Sequence, residues 1–97
     1  MAVSGSERVG KLPVERVQIG ARLEKRMVKV LKGLAEYHDI SLGDLMEGIV
    51  LHAFDGEPPF GEDSLQRIAQ LKAVYGMDYG IEESHGLVDR VPDGEGE

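Results

Sequence analysis

The chain has no cysteine, which excludes disulfides, thiolate nucleophiles and cysteine-based zinc sites together and fits a reducing compartment. It also has no long apolar run. Charge interrupts every hydrophobic patch within a few residues, far short of the roughly 20 apolar residues that a membrane helix requires. Neither a signal peptide nor a membrane segment is expected. A glycine-rich phosphate loop is missing, as is a serine nucleophile in a recognisable setting. His38, His52 and His85 are scattered, and His52 with Asp55 offers only one pair of metal ligands. Several carboxylates fall between Asp78 and Glu83, where a solvated acidic loop is the simpler reading. No cofactor, no metal and no enzymatic activity are expected.

What is present is one small domain of 97 residues, 41% of them hydrophobic, enough for a modest core supplemented by subunit association. The net charge of -7 argues against a nucleic-acid partner until its distribution is considered. Residues 7–32 hold eight basic side chains against three acidic ones, a local balance of +5. From Gly33 onward, three basic residues face fifteen acidic ones, a balance of -12. Screening over about 8 to 10 Å lets a phosphate respond to the nearby charges rather than to the molecular total.

The clearest strand pattern is Val17-Gln18-Ile19-Gly20-Ala21-Arg22-Leu23, in which apolar and other side chains alternate strictly. No second run of this quality occurs in the chain. A lone strand leaves both edges unpaired, so the alternation predicts pairing with the same strand of a second copy, and hence an obligate homodimer. Ahead of it, residues 1–16 read as a flexible arm, with Arg8, Lys11 and Arg16 in reach of neighbouring phosphates.

Helical periodicity follows. From Lys25 to about His38, an apolar face forms from Met27, Leu31, Leu34, Ala35 and His38, while Lys25, Lys29 and Lys32 make a basic row on another face. Ser41 with Asp44 gives a capping signal for a second helix. Leu42, Leu45, Met46, Ile49, Val50 and Ala53 then form the strongest amphipathic pattern in the chain, which predicts burial against the first helix and a partner subunit. Gly33, Gly43 and Gly48 each give up roughly 1 kcal/mol of helix propensity relative to alanine. For Gly33 the pattern supplies no reason beyond packing. A glycine cap at Gly56 and the prolines Pro58 and Pro59 end this helix. Asp63 or Ser64 starts a third, with Leu65, Ile68, Leu71, Val74 and Tyr75 as its apolar side and Gly76 as its stop. Residues 82–97 have the acidic composition of a disordered tail.

The strand VQIGARL, the helix KRMVKVLKGLAEYH and the turn and helix DISLGDLMEGIVLHAF together resemble the ribbon-helix-helix family of the Arc, MetJ and CopG repressors, over residues 17–54. The resemblance implies a mainly α fold with one β-strand, paired across a two-fold axis into an intermolecular antiparallel ribbon, with a short third helix added. It divides the chain into the arm at 1–16, a ribbon-helix-helix domain at 17–56, a linker and third helix at 57–81 and the tail at 82–97.

A cytoplasmic, nucleoid-associated transcriptional repressor of prokaryotic type follows from the same resemblance, with double-stranded DNA as partner and the ribbon in the major groove. Base contacts would fall to Gln18, Gly20 and Arg22. Glutamine suits adenine and arginine suits guanine, whereas Gly20 departs from the family pattern and reads nothing. Phosphates would meet Arg16, Lys25, Lys29 and the helix start at Ser41, Leu42 and Gly43. The dimer core would comprise Ile19, Ala21, Leu23, Leu31, Leu34, Leu45, Met46 and Ile49. Two rival readings stand beside this one. The first is an antitoxin whose acidic segment after Pro59 folds on a basic toxin, as in relatives of this fold. The second is a dimeric protein-interaction module without DNA binding, consistent with a pI of about 4.9 and with Gly20.

Overall fold

The computed structural model describes residues 12–90. Three α-helices, α1 (Lys25–His38), α2 (Leu42–Phe54) and α3 (Glu62–Tyr75), are followed by a short 3-10 turn at Ile81–Glu83. The expected bounds of α1 and α2 match these, and α3 begins slightly ahead of the expected Asp63.

Local chemistry explains the boundaries. Glu24 caps α1 by accepting hydrogen bonds from the amides of Arg26 and Met27, and Asp39 ends the helix in the left-handed region at φ 60°. Aspartate tolerates that conformation better than most residues. Ser41 Oγ accepts from the Asp44 amide at 3.0 Å and starts α2. At the far end, Gly56 takes φ 74° and returns its amide to the Ala53 carbonyl. The cap of α3 is Gly61, which has no side chain to offer. Glu62 and Asp63 in the first turn instead oppose the positive end of the helix dipole. Ser64, expected as a cap, hydrogen-bonds His38 across to α1 at 2.9 Å.

The core is small. Val30, Leu34 and Ala35 of α1 and Leu45 of α2 are the buried residues among those described. Leu31, Ile49, Phe60, Ile68 and Leu71 pack around Leu34, Ala35 and Leu45. Gly33 now has its reason: a Cβ there would lie 2.8 Å from a methyl of Leu71, so the glycine lets α3 approach α1 closely.

The expected strand is absent. No strand occurs among the described residues, and residues 12–23 join no backbone ladder there. Every side chain in this segment is exposed, so the alternation from Val17 to Leu23 is not matched by alternating burial, and Ile19 is 79% accessible. The fold class is therefore all-α, three helices, and the mainly α fold with one strand and an intermolecular ribbon is corrected. The physical reason is that period-two alternation marks which side chains share a face, while a strand exists only through pairing that this chain does not supply. The outlying part of the expected arm, with Arg8 and Lys11, and the end of the expected tail, 91–97, lie outside the described residues.

Candidate nucleic-acid interface

The exposed segment 12–23 runs into the N-terminal end of α1, bringing Gln18, Gly20 and Arg22 close in sequence to the lysine row. Gln18, Gly20 and Arg22 are exposed. Lys25, Lys29 and Lys32 are exposed along α1 and form no salt bridge among the described residues. Lys29 lies 5.6 Å from the centre of the Tyr75 ring, close enough for a cation–π contact that leaves its charge available. A helical row of this spacing presents its ammonium groups on one side.

The arginines are differently placed. Arg16 makes a two-pronged contact with Glu47 of α2, Nε to Oε2 at 2.9 Å and Nη2 to Oε1 at 3.0 Å. That hydrogen-bonded pairing raises the arginine's pKa and lowers the glutamate's. Arg22 Nη2 donates to Asp89 Oδ2 at 2.6 Å. Arg26, one of the eight cations of the basic stretch, is bound to Glu24, to the Gly76 carbonyl at 2.9 Å and to Asp78 at 3.3 Å. Its guanidinium also sits over the Tyr79 ring at 5.4 Å.

Tyr79 completes this knot by donating its hydroxyl to Glu24 at 2.6 Å. That hydrogen bond is the main reason the Glu24 carboxyl is held down at about 2, with further help from the Arg26 contacts and the Met27 amide. Burial first, and then the neighbouring carboxylate, push the Tyr79 hydroxyl up to about 12. The chain after α3 is thereby fastened to the start of α1. Spacing carries no trace of these contacts, because Glu24 and Tyr79 are 55 residues apart and Arg22 and Asp89 are 67 apart. Glu24, Glu47, Tyr79 and Asp89 are the site residues that sequence reasoning missed.

The start of α2 is mixed. Ser41 and Gly43 are exposed and Leu42 is half-buried, and the Leu42 and Gly43 amides point outward from a helix start as an anion requires. Asp44 in the same turn opposes an anion. Of the residues expected in a dimer core, Leu34 and Leu45 are buried within the chain and Leu31 and Ile49 pack on them. Ile19, Ala21, Leu23 and Met46 are exposed.

A cavity of about 400 Å³ opens between α1, α3 and the following chain, lined by Met27, Leu31, Phe60, Ile68, Met77 and Leu87 among others. Lys72 and Glu83, of opposite charge, also border it, and no set of polar groups there selects one ligand chemistry. Among the described residues no three histidines, aspartates or glutamates gather as a metal site, and no helix is long and apolar enough to cross a membrane. Comparison with protein-family models, with curated proteins and with solved structures gives no match.

Proposed function

We propose that the chain is a sequence-specific DNA-binding transcriptional regulator acting as a homodimer. One observation carries this reading: Lys25, Lys29 and Lys32, free of ion pairs among the described residues, adjoin an exposed segment that holds Gln18 and Arg22, while the acidic charge lies mostly beyond α1. Lysines supply the salt-sensitive attraction to phosphates, and glutamine and arginine supply base-edge hydrogen bonds. Gly20 permits close approach without reading a base. Arg16 joins the phosphate contacts when it leaves Glu47, and the amides of Leu42 and Gly43 beside Ser41 add a helix-end contact. The reading keeps the DNA binding implied by the family resemblance and does not keep its strand.

Association is supported by the apolar surface left uncovered. Met46, Val50, Leu51 and Phe54 stand exposed on α2, with Phe54 at 80%, and Val14, Val17, Ile19 and Leu23 stand exposed ahead of α1. An exposed apolar set of this size beside so small a core marks an interaction surface. Anisotropy of labelled duplexes selected from a random pool tests the DNA reading. Arg22→Ala should relax sequence preference, and Lys25→Ala should weaken all sequences alike. Absence of binding to any duplex at low salt overturns it.

The antitoxin reading has its own support in Ile81, Leu87 and Val88, exposed among Glu82, Glu83 and Asp89. An acidic segment with free apolar side chains suits a basic protein. Co-purification of such a partner, lost on truncation after Gly80, which keeps all three helices, would favour it.

A further inference from the structure

We propose that the acidic chain following α3 is an internal competitor for DNA, with Asp89 occupying the Arg22 guanidinium that would otherwise meet a nucleic acid. This inference rests on the DNA-binding reading above. Contacts upstream hold the chain that leads to Asp89. Tyr79 on Glu24 and Arg26 on Gly76 and Asp78 fix the start of the acidic chain at the N-terminal end of α1. Asp89 then lies ten residues beyond one anchor, Tyr79, and Arg22 two residues ahead of the other, Glu24. From Glu82 to Glu97 the chain carries six acidic residues and one basic one, Arg90.

A two-pronged contact from Arg22 to a base edge or a phosphate draws on the Nη2 group that now donates to Asp89. The contact is exchangeable, because the two side chains are 86% and 74% exposed and an ion pair so open to water holds only weakly. Tethering keeps a carboxylate near Arg22 even when the pair is broken, so the local supply of competitor does not fall on dilution. DNA must therefore displace an anion already attached to the protein.

The test is the affinity of the full chain for a fluorescently labelled mixed-sequence duplex in low-salt buffer, measured by anisotropy. Five forms are compared: the parent, Asp89→Asn, the full-length combination D89N/D93N/E95Q/E97Q, Arg22→Ala, and Arg22→Ala with Asp89→Asn. Circular dichroism checks that each keeps its helices. Asp89→Asn should bind about 1.5- to 5-fold more tightly than the parent, the range that an exposed ion pair corresponds to. The combination should bind more tightly still, and both gains should shrink as salt rises. In the Arg22→Ala background the Asp89→Asn gain should vanish.

If the parent binds and both neutralised forms bind no better, the competitor role is wrong and the DNA reading stands. Equal gains with and without Arg22 overturn the Arg22–Asp89 contact as its basis. If no form binds either this duplex or any selected from the random pool, the DNA reading falls and this inference falls with it.

Discussion

α1 and α2 are joined by only three residues, Asp39 to Ser41, and each carries an apolar stripe, yet they meet different fates. α1 buries Val30, Leu34 and Ala35, because α3 lies along it with Leu71 against Gly33. α2 is the more apolar helix, though the less sharply two-sided, and it buries only Leu45. A hydrophobic stripe states which face avoids water; it does not state whether the same chain will cover it. The packed pair α1 and α3 accounts for the fold, and the open face of α2 accounts for the expectation of a second copy.

Truncating a side chain on each helix should separate them most. Leu34 is 1% exposed, and Leu34→Ala should lower stability by about 2 to 5 kcal/mol in urea titration. That is a large share of the ~5 to 15 kcal/mol typical of a domain. Leu51 is 63% exposed, and Leu51→Ala should change stability of the dilute chain by less than about 0.5 kcal/mol. Its effect should grow with protein concentration if a second copy covers α2. A concentration-independent loss as large as that of Leu34 would erase the distinction between the two helices.

Next come the glycines. Gly33→Ala gains about 1 kcal/mol of helix propensity but presses on Leu71, and overpacking of this kind costs about 1 to 3 kcal/mol. The net expectation is a loss of about 1 kcal/mol by thermal unfolding. A methyl group on Gly48 would meet nothing within 4 Å beyond its own helix backbone, so Gly48→Ala should stabilise the separate chain by roughly 0.5 to 1 kcal/mol. Should two copies cross at Gly48, the same substitution would weaken their association in sedimentation.

The Tyr79 knot adds a smaller, pH-dependent contribution to the α1 side. Glu24 has a folded pKa of about 2 against an ordinary 4.5, so its stabilisation is fully present above 4.5 and is lost as pH falls toward 2. Tyr79 is raised from 10.0 to about 12, so its contribution is present below 10 and is lost as pH rises toward 12. Tyr79→Phe should remove the alkaline loss and move the acid midpoint of unfolding upward, read from ellipticity against pH. Smallest of all, Glu47→Gln frees Arg16 from an exposed contact and should leave the urea midpoint at the parent value.

The helices were legible because 3.6-residue periodicity and the Ser41 cap are local signals. α3 is readable as an element, but its start at Glu62 is not, because Gly61 provides no side-chain cap. The segment Val17 to Leu23 misled for the opposite reason: its pattern is local, whereas a strand depends on a partner. Gly33 looked like a defect until Leu71, 38 residues later in the chain, supplied its contact. Within the candidate site, the lysine row followed from spacing. The carboxylates that hold Arg16, Arg22 and Arg26 are mostly remote in sequence, and only packing brings them together.

The most direct test of DNA binding through this surface is the salt dependence of duplex affinity for the parent and for Lys25→Ala/Lys29→Ala. Each phosphate contact contributes a slope of roughly 0.9 in log K against log salt. The parent should bind with a steep negative slope, and the double substitution should flatten it by about 2 and weaken all sequences alike. A parent whose binding does not change with salt, or a double variant with the parent's slope, would contradict the role assigned to α1 and its lysines.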